Sequence, residues 1–286
     1  ALPIFWLSPM YPSPNDDNGY DISDYKGIMS EFGTMNDFDQ LLSSIHQRGM
    51  KLILDLVVNH TSDEHPWFIE SKSSKTNAKR DWYIWADPKP DGSEPNNWES
   101  IFNGSTWEFD ESTKQYYFHL FSKKQPDLNW ENPDVRQAVF EMMNWWFEKG
   151  IDGFRVDAIT HIKKNFEAGD LPVPDGKKFA PAFDVDMNQP GIQEWLQEMK
   201  DKSLSRYDIM TVGEANGVTP NDAEEWVGEE NGKFNMIFQF EHLGLWSTGD
   251  TKFDVKSYKQ VLNRWQKQLE NVGWNALFIE NHDQPR

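Results

Sequence analysis

The stretch Lys51-Leu-Ile-Leu-Asp-Leu-Val-Val58 is almost continuously apolar and decides the fold class. Such a run is typical of a strand in a parallel sheet that is covered on both faces. Before it, apolar residues recur at helical spacing over residues 37–48, and Gly49 stands where that helix would end. Because residues 1–7 form another apolar run, the first 58 residues are predicted to be a strand–helix–strand unit.

The alternation of strands and helices resumes after residue 132. Further strands are predicted at residues 151–157, 209–214, 235–240 and 275–280. Helices are predicted at residues 133–149, 191–204, 220–227 and 255–271. This order favours an α/β fold with a parallel sheet. Since a TIM barrel has eight strands and this chain supplies six, we predict a partial (β/α)8 barrel, incomplete at both ends.

The barrel pattern is interrupted at residues 61–131, which are rich in Pro, Asn, Asp and Trp. A structureless loop of this length is implausible in a compact domain, and Tyr116-Tyr-Phe-His-Leu120 is a candidate strand. We therefore predict an inserted subdomain at 61–131, after the third barrel strand, and a catalytic barrel formed by 1–60 and 132–286. A Pro-, Gly- and Asp-rich loop is predicted at about 165–190.

The composition excludes several classes of function. The 286 residues include 28 Lys and Arg against 47 Asp and Glu, a net charge of −19. This balance argues against nucleic-acid partners and anionic membranes, and no apolar run reaches the ~18 residues of a membrane span. The absence of cysteine excludes thiol catalysis and fits a reducing, cytoplasmic compartment. Aromatic residues make up 14% of the chain, either as ordinary core or as flat surfaces for sugar rings.

Four predicted strands end in polar residues, namely Asn59-His60, Arg155-Val-Asp157, Glu214 and His282-Asp283. In a TIM barrel the carboxyl ends of the strands form the active site. Two carboxylates can cleave an acetal without a metal, one as nucleophile or base and the other as an acid. Asp157 and Glu214 are the candidate pair. Asp283 would hold substrate hydroxyls or stabilise a cationic transition state.

Arg155 lies two residues before Asp157, so both side chains point to the same face of a strand. A fixed cation there would keep Asp157 ionised, as a nucleophile requires. A purely structural ion pair explains the spacing equally well. His60 and His282 are placed to donate hydrogen bonds to sugar hydroxyls. A metal-dependent hydrolase built on these two histidines is an alternative, but no further ligand spacing accompanies them.

The same segments carry a family resemblance. Asp55-Leu-Val-Val-Asn-His60, Gly153-Phe-Arg-Val-Asp157, Val212-Gly-Glu214 and Asn281-His-Asp283 resemble, in this order, the four motifs of the α-amylase family, glycoside hydrolase family 13. Three further segments resemble its oligo-1,6-glucosidase subgroup: Gln125-Pro-Asp-Leu-Asn129, Ser13-Pro-Asn-Asp-Asp-Asn-Gly-Tyr-Asp21 and Asp283-Gln-Pro-Arg286. The resemblance covers essentially the whole chain and implies a (β/α)8 barrel with a domain inserted after the third strand.

The resemblance also implies roles for individual residues. Asp157 matches the nucleophile, Glu214 the general acid/base and Asp283 the transition-state stabiliser. The remaining matches are Arg155, His60 and His282 around the cleaved sugar, Asp17 and Tyr20 on the non-reducing glucose, Ala158 beside the leaving sugar, and a mainly structural Asp55. A calcium site, where members have one, would lie upstream of residue 1, and a late subsite arginine would lie beyond residue 286. No metal ligand or cofactor is therefore assigned.

The expected function is that of a retaining α-glucosidase acting on short α-1,4- or α-1,6-linked gluco-oligosaccharides. Trehalose-6-phosphate hydrolase and sucrose isomerase are alternatives within the family. Sucrose isomerases usually carry an arginine-rich loop after the sixth strand, whereas Phe240-Glu-His-Leu-Gly-Leu-Trp246 contains no arginine. A non-catalytic relative would typically lack one of the three carboxylates, and all three are present.

Overall fold

The computed structural model describes residues 3–245 and 253–283. Within these residues the strands are β1 (Ile4–Leu7), β2 (Lys51–Val57), β3 (Trp85–Ala86), β4 (Trp98–Glu99), β5 (Trp107–Asp110), β6 (Gln115–Phe118), β7 (Gly153–Asp157), β8 (Ala180–Pro181), β9 (Met210–Ala215) and β10 (Met236–Gln239). The α-helices are α1 (Met35–Gln47), α2 (Pro66–Ser73), α3 (Pro133–Lys149), α4 (Phe183–Asp186), α5 (Ile192–Lys202), α6 (Ala223–Val227) and α7 (Val255–Leu269). Short 3-10 turns, such as Ile159–His161, lie between them.

One parallel sheet, in the order β1-β2-β7-β9-β10, forms the wall of the barrel. Its register runs from Ile4 opposite Lys51 at one edge to Met236 opposite Val212 at the other. Strands predicted at 1–7, 51–58, 151–157, 209–214 and 235–240 are confirmed to within a few residues, although residues 1 and 2 lie outside the described part of the chain. The fold is the predicted partial (β/α)8 barrel.

Local sequence explains how the central strands are set. Helix α1 begins two residues earlier than predicted because Thr34 and Asp37 form a reciprocal capping box. Residues 52–57 of β2 are buried, as the continuous apolar run predicts. Gly153 opens β7 at φ 152°, where a Cβ atom would lie 1.7 Å from the carbonyl oxygen of Met210. Only glycine therefore lets β7 and β9 approach closely enough to bring their carboxyl ends together.

The prediction of a strand at residues 275–280 is wrong. This segment is irregular in the structure, and Leu277 and Ile279 are 64% and 69% exposed. It touches the sheet through the ring of Phe278, which contacts Phe238 and Phe240, instead of through a backbone ladder. An apolar run becomes a strand only where a neighbouring strand accepts its hydrogen bonds. The sequence pattern does not show whether such a neighbour is present.

Residues 61–131 contain structure of their own. Strands β3, β6 and β5 form an antiparallel sheet that includes the predicted strand near 116–120, and α2 is a helix that the sequence analysis missed. The loop expected at 165–190 contributes β8, which pairs with β4. Phe68, Tyr83 and Tyr117 of the insert lie in the same hydrophobic core as the barrel residues. The boundaries 1–60, 61–131 and 132–286 thus stay a prediction.

The four helices predicted after residue 132 are confirmed as α3, α5, α6 and α7, with ends that shift by a few residues. Helix α3 spans the predicted range and is followed by Gly150 in the left-handed conformation. No helix in the two described ranges combines the length and apolar character needed to cross a membrane.

Candidate active site

A cavity of about 590 Å³ opens at the carboxyl ends of the parallel strands. Eight of the nine predicted site residues line it: Asp17, Tyr20, His60, Asp157, Ala158, Glu214, His282 and Asp283. The ninth, Arg155, lies beneath the cavity floor with only 2% of its side chain exposed. The structure thus brings together residues that are up to 266 positions apart in the sequence, Asp17 and Asp283.

Arg155 joins the carboxylates of three strands. Its Nη1 donates to Asp55 Oδ1 at 2.9 Å and also to Asp157. Its Nη2 lies 2.8 Å from Glu214 Oε2. Asp55 pairs with Arg155 across the ladder between β2 and β7, so the parallel register places this cation opposite its partner. The Arg155–Asp157 pair is therefore part of the site and also part of the buried framework below it.

The two candidate catalytic carboxyls have different pKa values. Burial raises the pKa of Asp157 to about 6, although the Arg155 cation opposes the shift. Burial raises the pKa of Glu214 further, to about 7, again against Arg155 and with the Asp157 charge adding to the rise. Arg155 lowers the pKa of Asp157, in the direction that the prediction of an ionised nucleophile requires, although burial has the larger, opposite effect. Between pH 6 and 7 Asp157 is mainly ionised while Glu214 keeps its proton.

Ala158 has a backbone conformation that the sequence does not predict. Its φ and ψ are 44° and 32°, the left-handed region that non-glycine residues seldom occupy. This turn directs the N–H of Ala158 to Glu214 Oε2 at 2.9 Å. The residue after the candidate nucleophile therefore holds the candidate acid, and its side chain, 5% exposed, lines the cavity as predicted.

Tyr20 links the cavity to the buried framework. Its hydroxyl donates to Asp55 Oδ2 at 2.9 Å and lies 2.9 Å from Nε2 of His282. Because the single hydroxyl proton goes to Asp55, the oxygen accepts from an Nε2–H of His282. Burial and the Asp55 charge raise the pKa of Tyr20 above its usual value, so the phenol stays neutral. The Tyr20 and His282 rings stack with centroids 5.4 Å apart.

Gln125 holds two predicted residues on the other side. Its Nε2 donates to Asp17 Oδ2 at 2.8 Å and lies 3.1 Å from His60 Nε2. Burial lowers the pKa of His60, so its ring is neutral near pH 7. Gln125 belongs to the subgroup motif quoted above, but sequence reasoning assigned it no role. Its place in that motif was the available signal.

A buried charge cluster below His60 was also missed. Lys164, with 1% of its side chain exposed, forms an ion pair with Asp127 and donates to Asn59 Oδ1 at 2.9 Å. Asn59 in turn donates to Asp127 Oδ2 at 3.0 Å and lies 3.2 Å from His60 Nδ1. These residues come from three separated segments, so their spacing carries no recognisable pattern. Among the described residues, no group of three or more His, Cys, Asp or Glu is arranged to hold a metal ion.

Aromatic side chains complete the lining. Phe102, Phe121 and Phe240 face the cavity, and Phe102 is 50% exposed at its mouth. Such rings pack well against the C–H faces of pyranoses. Asp283 lines the cavity with 53% of its side chain exposed. Residues 284–286 of the motif Asp283-Gln-Pro-Arg286, and Trp246 of the segment compared with sucrose isomerases, lie outside the described residues.

With this geometry in place, comparison with known proteins is informative. Residues 2–286 match the family model described as "Alpha amylase, catalytic domain". The chain belongs to the α-amylase family. It is 63% identical over 284 residues to probable oligo-1,6-glucosidase 3 of Bacillus subtilis (strain 168), covering 99% of this chain and 51% of that protein. It is 57% identical over 291 residues to the oligo-1,6-glucosidase of Parageobacillus thermoglucosidasius, covering 100% and 52%.

Solved structures of the family match the same region. The trehalose-6-phosphate hydrolase of Bacillus licheniformis superposes with a TM-score of 0.91 at 48% identity, over 99% of this chain and 51% of that one. The isomaltulose synthase SmuA of Protaminobacter rubrum gives a TM-score of 0.92 at 41% identity, over 99% and 51%. The chain therefore spans about half the length of the relatives that it matches.

Proposed function

We propose that the protein containing this chain is a retaining α-glucosidase that hydrolyses short α-1,4- and α-1,6-linked gluco-oligosaccharides. One observation carries the proposal: two carboxyls, those of Asp157 and Glu214, face one cavity and share the guanidinium of Arg155. A pair of carboxyls in one site can divide the roles, one acting as a base or nucleophile and the other as an acid. The names of the relatives, oligo-1,6-glucosidases, support the same substrate class.

The chemistry follows from the two groups. In the first step Asp157 attacks the anomeric carbon, the glycosidic C–O bond breaks, and Glu214 gives its proton to the departing oxygen. In the second step a water molecule gives a proton to Glu214 and adds to the anomeric carbon, which releases the Asp157 carboxylate. Two inversions return the α anomer. These steps need no cofactor, and we propose none.

The other lining residues would bind the glucose that is transferred. Asp17 and the neutral His60, held by Gln125, offer an acceptor and a ring nitrogen to sugar hydroxyls. His282 is oriented by Tyr20. Asp283, on the same cavity, would stabilise the positive charge that develops on the sugar ring.

The lining of the cavity bears on one family alternative, the hydrolysis of a phosphorylated sugar. Its lining, within the residues that the structure describes, includes no lysine or arginine. Phosphate recognition relies on such cations, so a trehalose-6-phosphate hydrolase is less well supported, although its solved structure is similar. Nucleic acid and membranes are not part of the proposal, and a cytoplasmic location is an added proposal that cell fractionation would test.

The test uses the full-length protein. Proton NMR should show the α anomer of glucose as the first product released from maltose or isomaltose. Asp157→Asn should lose nearly all turnover, because an amide cannot form the glycosyl ester. Early release of the β anomer, or normal turnover by Asp157→Asn, would overturn the assignment.

A further inference from the structure

The segment after β7, residues 165–186, lies against the insert. Its strand β8 pairs with β4, and the ring of Phe166 stacks on Trp98 with centroids 5.2 Å apart. The indole N–H of Trp98 donates to the carbonyl oxygen of Gly169 at 2.8 Å. The mechanism proposed above uses none of these contacts. We call residues 165–186 the strap.

Asn97 binds the strap at two places. Its side-chain Nδ2 donates to the carbonyl oxygen of Leu171 at 2.8 Å, and its Oδ1 accepts from the Leu171 N–H at 2.8 Å. Its own carbonyl oxygen accepts from the N–H of Ala180 at 2.9 Å. The carboxamide uses a separate donor and a separate acceptor for the carbonyl and the N–H of one residue. Asn97 thus forms hydrogen bonds to both ends of the segment 171–180.

The insert lines the cavity directly, and the strap contacts a residue that lines it. On the insert side, the turn that follows β4 carries Phe102. On the strap side, the carbonyl oxygen of Asp186 lies 3.0 Å from Nδ1 of His161, which also faces the cavity. Phe121 stands between them, with ring centroids 5.8 Å from Phe102 and 6.1 Å from His161. Asp186 is buried, so a shift of the strap would be transmitted to His161.

The Phe102 part of this wall is open to solvent. Phe102 is half-exposed at the cavity mouth, whereas Asp157 and Glu214 form the floor above the buried Arg155. A glucose whose anomeric carbon contacts Asp157 fills the floor. The sugar bonded to it then extends towards the mouth.

We propose that Asn97 is a positioning residue that fastens the strap to the insert and so fixes the wall against which the leaving sugar packs. The inference rests on the proposed α-glucosidase function. It concerns the leaving sugar only and predicts no effect on the chemistry at Asp157.

The test compares two substrates in the full-length protein. Isomaltose has a leaving sugar, whereas α-glucosyl fluoride has only a fluoride ion. Asn97→Ala should lower kcat/KM for isomaltose by about fivefold or more, mainly through KM, and change that for α-glucosyl fluoride by less than about twofold. Asn97→Asp should give the same kinetic changes as Asn97→Ala, because a carboxylate cannot donate a hydrogen bond to the Leu171 carbonyl. Asn77→Ala is the matched control, since the side chain of half-buried Asn77 forms local hydrogen bonds, to Ser73 and Lys79, far from the strap in sequence.

Hydrogen exchange separates this inference from the proposed function. In Asn97→Ala the Leu171 amide loses its acceptor, so exchange in a peptide covering 169–181 should accelerate by about tenfold. Equal losses on both substrates, or unchanged kinetics, would overturn the positioning role, and unchanged exchange would overturn the fastening. An unmodified protein that cleaves neither substrate would refute the proposed function, while the exchange result would still decide whether Asn97 fastens the strap.

Discussion

Replacing Arg155 tests the central feature of the site, the sharing of one cation by three carboxylates. Arg155→Lys keeps the positive charge but replaces a planar fork with a single ammonium, which cannot reproduce the contacts of Nη1 and Nη2. Arg155→Met removes the charge altogether. Both changes act on a side chain that is 2% exposed, so water cannot compensate for the lost contacts.

The size of the effect follows from burial. Removing one partner of a buried ion pair costs about 3–5 kcal/mol, a large part of the 5–15 kcal/mol that stabilises a typical domain. Arg155→Met is therefore expected to unfold easily or not to fold. Arg155→Lys should fold with a smaller loss, and in it the pKa values of Asp157 and Glu214 should rise, because Arg155 is the main influence that lowers both.

The assay is the pH profile of kcat/KM, whose acid limb reports the group that must be deprotonated in the free enzyme. With Asp157 near pKa 6 and Glu214 near 7, the unmodified protein should be most active between these values. In Arg155→Lys both limbs should move to higher pH by about one unit, which lowers the rate at pH 6 about fivefold, because the ionised fraction of Asp157 falls from about one half to about one tenth. Arg136→Lys is the control, since Arg136 pairs with Glu198 on the helical layer, away from the cavity.

An unmoved profile would refute this reasoning. If Arg155→Lys lowered activity by the same factor at every pH, Arg155 would serve only to hold the barrel together. If the limbs moved to lower pH, a group other than Arg155 would determine the pKa values of the two carboxyls.

Three further predictions concern neighbouring residues. Glu214→Gln should raise the free energy of unfolding by about 3 kcal/mol more at pH 8 than at pH 4, as measured by urea denaturation. The reason is that folding raises the pKa of Glu214 from 4.5 to about 7, so the unmodified protein loses stability as the pH rises between these values. Lys164→Met should lower the free energy of unfolding by about 3–5 kcal/mol, since it leaves the Asp127 carboxylate buried without its cation. The control Lys163→Met removes a partly exposed lysine and should lower it by less than about 1 kcal/mol. Ala158→Val should lower the ratio of kcat/KM for maltose over isomaltose about tenfold and also cost about 1–3 kcal/mol of stability, whereas Ala158→Gly should be tolerated, because a β-branched residue is strained at φ 44°.

The strands and helices could be predicted from the sequence where burial alone determines the local structure. The apolar run of β2 and the helix-ending Gly150 are local signals, and both are confirmed. The segment 275–280 has the same apolar pattern as β2 but no strand that accepts its hydrogen bonds, and the prediction fails there. Hydrophobic pattern specifies which residues avoid water, and pairing depends on what lies next to them in space.

The residues of the site also divide into those that could be predicted from the sequence and those that could not. Residues at strand ends were predictable because parallel strands bring their carboxyl ends to one edge. The cluster of Asn59, Asp127 and Lys164 was not, because its members are joined only by the folded chain. The raised pKa of Asp157 was missed for a related reason: the sequence shows the neighbouring cation but not how completely water is excluded.

The register of three strands is what makes the carboxyl pair possible. Asp55 lies opposite Arg155 between β2 and β7, and Val156 lies opposite Gly213 between β7 and β9, so Asp157 and Glu214 follow side by side one step further on. A slip of one residue in either ladder would turn a carboxylate to the other face of the sheet. Gly153 protects this register, since any side chain there would collide with the Met210 carbonyl and separate β7 from β9. The proposed catalytic pair therefore depends on a glycine four residues before Asp157 as directly as on the arginine that both carboxylates share.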